Sequence, residues 1–306
     1  MSDPQRSTAA WTQQKERGSA WLLRLMAWIA LHLGRRIARC FLHPITLYFV
    51  CTSRQARRAS KDYLERVLGR PIRLLDFYRH LYSFASTILD RVYFLNGHFK
   101  YFNFRVFGAQ ALEAELAKTQ GGFLIGAHMG SFEAVSAAGH QHTDLRVSLL
   151  MYEENAKKIG HLLKAITQME QHEIIALGHA DSMMKVQQRL EEGGFIGILA
   201  DRTIDQDMMY SRSFLGSVAQ FPQGPFKLAA LMRRPAFLML GLYRGANCYD
   251  IYFELIHDFS AALGKRSEAI DLAMTQYIRR LEHYCMSAPY NWFNFYDFWQ
   301  SELVHS

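Results

Sequence analysis

The sequence has few cysteines, and no two of them stand at the spacing of a metal-binding pair. Four cysteines are widely separated along the 306 residues, at Cys40, Cys51, Cys248 and Cys285. This distribution argues against a disulfide framework and against a cysteine zinc site. It is typical of a protein that works on the reducing, cytosolic side of a membrane.

Several motifs that mark other classes of enzyme are also missing. No Walker loop or G-x-G-x-x-G loop follows a predicted strand, and no G-x-S-x-G nucleophile elbow occurs. The stretch HQH at residues 140–142 has no carboxylate or cysteine at the spacing of metal ligands. We therefore predict neither a metal nor a cofactor.

The chain also lacks a hydrophobic run of the roughly 20 residues needed to cross a bilayer. Two shorter uncharged runs cover residues 25–34 and 40–53, and three arginines lie between them: Arg35, Arg36 and Arg39. Pro44 is expected to break the second run. We predict two short helices that lie on a membrane with these arginines at the headgroups.

Two other arrangements of this segment remain open. The runs can form a helical hairpin that packs on the rest of the protein, or one tilted helix that spans the membrane and tolerates an arginine. A secretory signal is disfavoured, because no small-residue cleavage pattern follows the apolar run and the arginines continue past it.

Positive charge is concentrated in the same segment. Residues 1–60 contain ten basic and two acidic residues, a net charge of +8, which leaves −1 for the remainder of a chain of net charge +7. Arginines interleaved with apolar residues favour a membrane surface over nucleic acid. We therefore divide the chain into a basic, amphipathic helical membrane arm over residues 1–60 and a second domain over residues 61–306.

The second domain has the pattern of an α/β fold. From residue 120 onward, short apolar runs alternate with longer amphipathic ones, which predicts a mainly parallel central sheet flanked by helices. The predicted strands cover residues 122–127, 145–151, 194–200, 236–243 and 249–256. The predicted helices cover residues 132–139, 155–170, 180–192, 225–234 and 267–285.

The stretch GGFLIGAHMGSFEA, residues 121–134, places polar side chains where a buried strand ends, and ligands gather at such ends in parallel sheets. Gly130 permits a tight turn, Ser131 is a candidate helix N-cap, and Glu133 falls in the first helical turn. Glu133 is expected to bind one nitrogen of His128, so that the other nitrogen serves as a general base. The alternative is an ordinary polar histidine beside an ordinary first-turn glutamate.

A second strand repeats this arrangement. In EEGGFIGILADRTIDQD, residues 191–207, two glycines and an apolar run are followed by Asp201 and Arg202. The planar guanidinium of Arg202 suits a phosphate. A structural ion pair with Asp201 is the alternative.

A third candidate lies further along the chain. The Phe-Pro-x-Gly turn from Phe221 to Gly224 leads into a predicted helix N-terminus, which is a natural anion site. Ser217 and Gln220, just before the turn, are expected to line an entry groove.

These residues form an ordered set. His128 and Glu133 match an H-x4-D/E motif, and ADR at residues 200–202, FPQGPF at residues 221–226 and a closing PYNWFNFYDFW follow it. On this set the chain resembles the lipid A biosynthesis (late, lauroyl/myristoyl-type) acyltransferase family over nearly its whole length. It resembles a divergent member of the H-x4-D/E lysophospholipid-acyltransferase-like superfamily.

The resemblance implies a membrane-associated acyltransferase. Such an enzyme moves a fatty acyl chain from acyl carrier protein to a hydroxyl of a lipid acceptor, here a lipid A precursor or a related glycolipid. His128 is then the base and Glu133 its partner, while main-chain N–H groups near Gly130 are expected to hold the oxyanion. The candidate substrate-binding residues are Gly130, Ser131, Asp201, Arg202, Phe221 and Gly224.

The expected partners are acyl carrier protein, a lipid acceptor and a membrane surface, without nucleic acid or metal. Five basic residues are expected either to dock the acidic carrier or to rest on anionic lipid: Arg57, Arg58, Lys61, Arg66 and Arg70. The expected location is the cytoplasmic face of the bacterial inner membrane, peripheral or monotopic. Alternative functions are an acyl-CoA glycerophospholipid acyltransferase or esterase on the same site, and a non-catalytic membrane-surface scaffold.

Overall fold

A computed structural model describes most of the chain. The described residues are 20–118, 121–142, 147–153, 173–179, 181–202, 209–261 and 265–299. The predicted helix over residues 155–170 lies outside them.

Helices and strands alternate through the described residues. The helices are α1 Ala20–Leu33, α2 Arg35–Thr52, α3 Arg54–Leu68, α4 Leu74–Leu95, α5 Ala109–Ala117, α6 Phe132–His142, α7 Ser182–Glu191, α8 Gly224–Met232 and α9 Arg266–Ser287. The strands are β1 Asn103–Phe107, β2 Gly122–Gly126, β3 Val147–Tyr152, β4 Ile174–Leu177, β5 Phe195–Leu199, β6 Met209–Phe214, β7 Ser217–Pro222, β8 Pro235–Gly245 and β9 Cys248–Asp258.

The central sheet has seven strands in the order β1-β9-β8-β2-β5-β3-β4. Every neighbouring pair is parallel except β8 and β9, which are joined by a tight turn and run antiparallel. Helices pack on the sheet, so the predicted α/β class with a mainly parallel sheet is confirmed. Strands β6 and β7 form a separate antiparallel hairpin.

The five predicted strands all overlap observed strands, whereas four observed strands were not predicted. The additional ones are the two edge strands of the large sheet, β1 and β4, and both strands of the β6–β7 hairpin. Pro225 lies in the first turn of α8 and Pro235 begins the strand after it, β8.

The two helices of the predicted arm meet at Gly34 and not at the proline. Gly34 has φ +86°, and Pro44 lies inside the 18-residue helix α2. The predicted break at Pro44 is wrong. One face of α2, which includes Ala38, Leu42 and Val50, is buried, and this burial offsets the main-chain hydrogen bond that a proline removes.

Helices α1 and α2 contact each other as a helical hairpin, the α1–α2 hairpin, whose inner face packs on α4 and β8. Arg35 donates two hydrogen bonds to the carboxylate of Asp90, at 2.8 and 2.9 Å, and Arg39 donates to Tyr243 Oη at 2.9 Å. The prediction that these arginines lie at lipid headgroups is therefore wrong for Arg35 and Arg39, because they bind buried partners. Arg36 is exposed.

The predicted domain boundary at residue 60 falls inside α3, whose Tyr63 and Leu64 are buried in the main core beneath the sheet. Within the described residues, none of the helices combines the length and apolarity needed to cross a membrane.

Candidate active site

The site begins where two neighbouring parallel strands end. All five residues of β2 are buried, and its last residue, Gly126, pairs with Leu199 at the end of β5. His128 follows β2 by two positions and Asp201 follows β5 by two positions. The register of β2 on β5 therefore brings these side chains together. Ligands bind at the carboxyl ends of parallel strands because side chains from neighbouring strands meet there.

The imidazole of His128 is held by Asp201. Its Nδ1 lies 2.8 Å from Asp201 Oδ1, and its main-chain N–H donates to Asp201 Oδ2 at 2.9 Å. A carboxylate only accepts hydrogen bonds, so Nδ1 carries the ring proton and Nε2 is the unprotonated nitrogen. The side chain of His128 remains 33% exposed, so the free nitrogen can meet a ligand.

Asp201 is buried and fully hydrogen-bonded. Its Oδ2 accepts from Trp292 Nε1 at 3.1 Å and from Asn294 Nδ2 at 3.0 Å, in addition to the main chain of His128. Burial alone would raise the pKa of Asp201, but the His128 imidazole, the charge of Arg202 and the His128 N–H outweigh burial and lower it to about 2. Asp201 is therefore a fixed anion.

The pKa of His128 is lowered from its ordinary value. Burial is the largest cause, the positive charge of Arg202 adds to it, and the Asp201 carboxylate opposes it; Arg91 lowers the pKa further. The imidazole is thus neutral at pH 7, which is the state that can accept a proton.

Glu133 contacts a different partner from the one predicted. Its Oε1 lies 2.7 Å from Arg91 Nε on α4, and its Oε2 accepts from Ser131 Oγ at 3.0 Å. The expected contact between Glu133 and the imidazole is wrong, because Asp201 already satisfies Nδ1 of His128 and the first turn of α6 directs Glu133 toward α4. Ser131 is the helix N-cap, as predicted, since its Oγ accepts from the N–H of Ala134 at 3.2 Å.

The loop after His128 is fixed by main-chain hydrogen bonds. The N–H of Gly130 donates to Asn291 O at 2.9 Å and the N–H of Ser131 donates to Gly241 O at 2.8 Å. Both N–H groups are therefore occupied, and the expectation that they hold an oxyanion is wrong. Gly130 has φ +69°, and a Cβ there would lie 2.0 Å from Gly241 O, so only glycine fits.

The closing aromatic segment, residues 291–294, supports the site through every one of its residues. Asn291 binds both main-chain polar groups of Tyr243 on β8, and Phe293 N–H donates to His128 O at 2.7 Å. Trp292 and Asn294 supply the donors to Asp201. These contacts were not predicted. The signal for them in the sequence is a pair of asparagines within an aromatic run, since buried amides require hydrogen-bond partners.

A buried histidine holds this segment from the other side. His80 Nε2 lies 2.7 Å from Trp292 O, which can only accept, so Nδ1 is unprotonated and accepts from Ser60 Oγ at 2.7 Å. Burial lowers the pKa of His80 to about 4. Helices α3 and α4 are thereby tied to the segment that positions Asp201.

Arg202 is also bound within the protein. Its Nε donates to Asn294 Oδ1 at 2.5 Å, its Nη2 donates to Phe293 O at 2.9 Å, and its guanidinium lies 5.2 Å from the ring centre of Tyr296. Burial lowers the pKa of Arg202, and the charge of Asp201 opposes that shift. Two nitrogens of the guanidinium that was predicted to bind a phosphate, Nε and Nη2 of Arg202, are therefore occupied by Asn294 and Phe293.

The family model described as bacterial lipid A biosynthesis acyltransferase matches residues 10–301. The chain belongs to the bacterial lipid A biosynthesis acyltransferase family. Because this family consists of acyltransferases, the protein is an acyltransferase. A search of curated proteins found no match.

In this lipid A acyltransferase family member, the hydrogen bonds described for the side chains of His128 and Asp201 come from residues outside the Phe-Pro-x-Gly turn. Phe221 is buried and packs against the rings of Phe214, Tyr277 and Phe298. It therefore has no free surface for a substrate. Gly224 begins α8 and has open space around its Cα.

The two polar residues of β7 that were predicted to line an entry groove, Ser217 and Gln220, each bind another side chain of the protein. Ser217 Oγ accepts from Arg66 on α3, and Gln220 Nε2 donates to Ser211 Oγ at 2.7 Å. These contacts connect the β6–β7 hairpin to α3 and stabilise its two strands.

Proposed function

We propose that this acyltransferase transfers a fatty acyl chain from acyl carrier protein thioester to a hydroxyl of a lipid A precursor, with His128 as general base. The observation that carries the proposal is the neutral imidazole whose Nδ1–H is held by buried Asp201 and whose Nε2 is unprotonated. An acyl thioester is already activated, so deprotonation of the attacking hydroxyl is the main chemical demand on the protein.

Asp201, and not Glu133, is the orienting carboxylate in this mechanism. As the hydroxyl attacks, its proton moves to Nε2 and the ring becomes an imidazolium. The fixed negative charge of Asp201 stabilises that cation and keeps the ring in the reactive orientation. The imidazolium then returns the proton to the departing thiolate.

The assay that tests this function uses the full-length protein, acyl carrier protein charged with a medium-length fatty acid, and a lipid A precursor. We expect a product heavier by one acyl group in mass spectrometry, and a higher kcat/KM with the carrier than with the matching acyl-CoA. Release of free fatty acid without transfer, or a higher kcat/KM with acyl-CoA, would contradict the proposed reaction or donor respectively.

Five basic residues were expected to dock the acidic carrier or to rest on lipid, and three of them are engaged by hydrogen bonds within the protein. Arg57 donates to main-chain carbonyls at the end of α2, Arg66 donates to Asp62 at 3.0 Å, and Arg70 donates to Asp76 at 2.8 Å. Arg58 and Lys61 are exposed on one side of α3, and the one ion pair of Lys61, with Glu65, is long at 4.0 Å and leaves 63% of the lysine side chain exposed. Their charges are the ones available to an acidic partner.

We infer membrane association from the outer face of the α1–α2 hairpin. Its exposed large apolar side chains are Leu25, Trp28, Leu33, Ile37, Phe41, Leu47 and Tyr48. Leu74 and Leu75 at the start of α4 are 71% and 53% exposed, and α4 lies beside α2, where His43 bonds to Tyr78 at 2.6 Å. Apolar patches of this extent mark interaction surfaces, and the proposed surface is the cytoplasmic face of the inner membrane.

Aspartate at three positions of this outer face, Trp28→Asp, Phe41→Asp and Leu47→Asp together, is expected to weaken binding to vesicles at least about 100-fold. Each side chain contributes about 1 kcal/mol or more when it enters the interface. Flotation with phosphatidylethanolamine–phosphatidylglycerol vesicles measures the effect.

The matched control carries Leu255→Asp, Leu272→Asp and Met286→Asp, three exposed apolar residues of β9 and α9. The control is expected to float with the vesicles as the unaltered protein does. Equal flotation of both triple variants would contradict an interfacial role for α1 and α2. Substitutions are preferable to deletion of the hairpin, which would expose its buried contacts with α4.

A further inference from the structure

Acyl transfer requires a hydrogen-bond donor or a positive charge that stabilises the negative charge developing on the carbonyl oxygen. The main-chain N–H groups of the loop beside His128 do not supply it, because they are already hydrogen-bonded within the protein. The N–H groups of residues 128 to 131 are all donated within the protein. Their acceptors are Asp201 Oδ2 at 2.9 Å, Ala127 O at 2.6 Å, Asn291 O at 2.9 Å and Gly241 O at 2.8 Å. Stabilisation of an oxyanion must therefore come from another group.

Two arginines lie near enough to His128 for their charges to act on the imidazole, Arg202 and Arg91. Nε and Nη2 of Arg202 are engaged by Asn294 and Phe293. Arg91 is held differently. Its only described partner is Glu133, in an ion pair of 2.7 Å whose geometry is not that of a hydrogen bond. Among the hydrogen bonds of the described residues, none uses the terminal nitrogens of Arg91.

Glu133 fixes Arg91 to the helix that follows the catalytic loop. The carboxylate is only 14% exposed and is shared between Arg91 and Ser131, the N-cap of α6. The side chain of Arg91 is 27% exposed. The pair therefore anchors one edge of the guanidinium beside the loop of His128 and leaves the other edge available to a ligand.

We propose that Arg91 is a catalytic residue that binds the thioester carbonyl oxygen and stabilises its oxyanion, and that Glu133 is the residue that positions Arg91. The inference rests on the proposed function. The acceptor oxygen forms a bond to the carbonyl carbon while its proton moves to His128 Nε2, and the C=O electron pair moves onto the oxygen that Arg91 binds. The pair then re-forms the C=O bond, the C–S bond breaks, and the thiolate takes the proton from the imidazolium.

Arg91→Gln is expected to lower kcat by about 10²- to 10³-fold with a much smaller change in KM, because the interaction is strongest in the transition state. Arg91→Lys is expected to restore part of that loss. Loss of the positive charge also raises the pKa of His128, so the acidic limb of the kcat/KM profile of Arg91→Gln is expected to move to higher pH. Glu133→Gln is expected to lower kcat, and its effect is expected to be less than additive with Arg91→Gln in a double-mutant cycle.

The matched control is Arg189→Gln. Arg189 also pairs with a glutamate, Glu173 at 2.5 Å, but it lies at the end of α7, which leads into the start of β5, away from the edge that carries Asp201. It is expected to retain wild-type kcat and pH profile. Melting curves of all variants check the fold.

The outcomes separate this inference from the function on which it rests. If His128→Ala is inactive but both Arg91 variants, folded, keep wild-type kcat, the role of Arg91 is wrong and the acyl transfer mechanism stands. If Arg91→Gln raises only KM, Arg91 binds an anionic group of the substrate in the ground state, and the oxyanion role is wrong. If His128→Ala keeps full activity, the proposed mechanism itself fails.

Discussion

Replacing His128 with alanine is expected to lower kcat for acyl transfer by about 10²- to 10⁴-fold while the fold is retained. The imidazole is the only general base in the proposed mechanism, and a positioned base contributes rate factors of this size. Its side chain is partly exposed at the strand end, so its removal leaves a solvated gap. Kinetics with acyl carrier protein thioester and circular dichroism on the same preparation measure both effects.

The pH profile of the unaltered enzyme gives an independent test of the same residue. The pKa of His128 is lowered, so the base is protonated and inactive only below that lowered value. The acidic limb of kcat/KM is therefore expected to have its midpoint below about 6.5. His283→Ala, an exposed histidine of α9, is the control and is expected to keep both rate and profile; a fully active His128→Ala would rule out the base.

Asp201→Asn is expected to reduce kcat by up to about 10⁴-fold, the size of the loss that asparagine causes in the triads of serine proteases. The amide oxygen can take the place of Oδ2 and still accept from His128 N–H, Trp292 and Asn294. The amide NH₂ then faces Nδ1 of His128 and forces the ring proton onto Nε2. The base is lost although the surrounding hydrogen bonds survive.

Nuclear magnetic resonance of ¹⁵N-labelled histidine reads this tautomer directly. We expect Nδ1–H in the unaltered protein and Nε2–H in Asp201→Asn. Asp250→Asn, at a buried, ion-paired aspartate of β9, is the control for loss of a buried charge and is expected to lower the melting temperature without inverting the tautomer. Glu133→Gln is also expected to leave the tautomer of His128 unchanged. A change from Nδ1–H to Nε2–H in that variant would instead show that Glu133 is the partner of His128.

The buried centre of the sheet was predictable because its strands carry their own signal. The apolar runs FLIGA and FIGILA, which form most of β2 and β5, each follow two glycines, and the burial of all of β2 and of the first three residues of β5 leaves no polar alternation to obscure them. The edge strands give no such signal. β1 alternates between exposed and half-buried residues and β4 has only four residues, so their pairing is decided by the neighbouring strand and not by local composition.

The site was predicted in its parts but not in its pairings. His128 and Asp201 stand at strand ends that the sequence locates, whereas their contact depends on β2 and β5 being adjacent in the sheet, which the order of elements along the chain does not fix. Glu133 was chosen as partner because it is close in sequence. The side chain that reaches the imidazole comes from the neighbouring strand, and the donors that fix that side chain come from Trp292 and Asn294, much later in the chain.

The pairing of the catalytic loop with residues 291–294 also sets an order of events during synthesis. A chain grows from its N-terminus, and the strands that carry His128 and Asp201 leave the ribosome well before Trp292 and Asn294. Until those residues emerge, Asp201 lacks two of its donors and the main chain of His128 lacks its partner Phe293. The sheet is able to form first, but the hydrogen bonds that fix the base are complete only after residues 292–294 have left the ribosome. A chain that stops before these residues is therefore expected to contain the sheet without a positioned base.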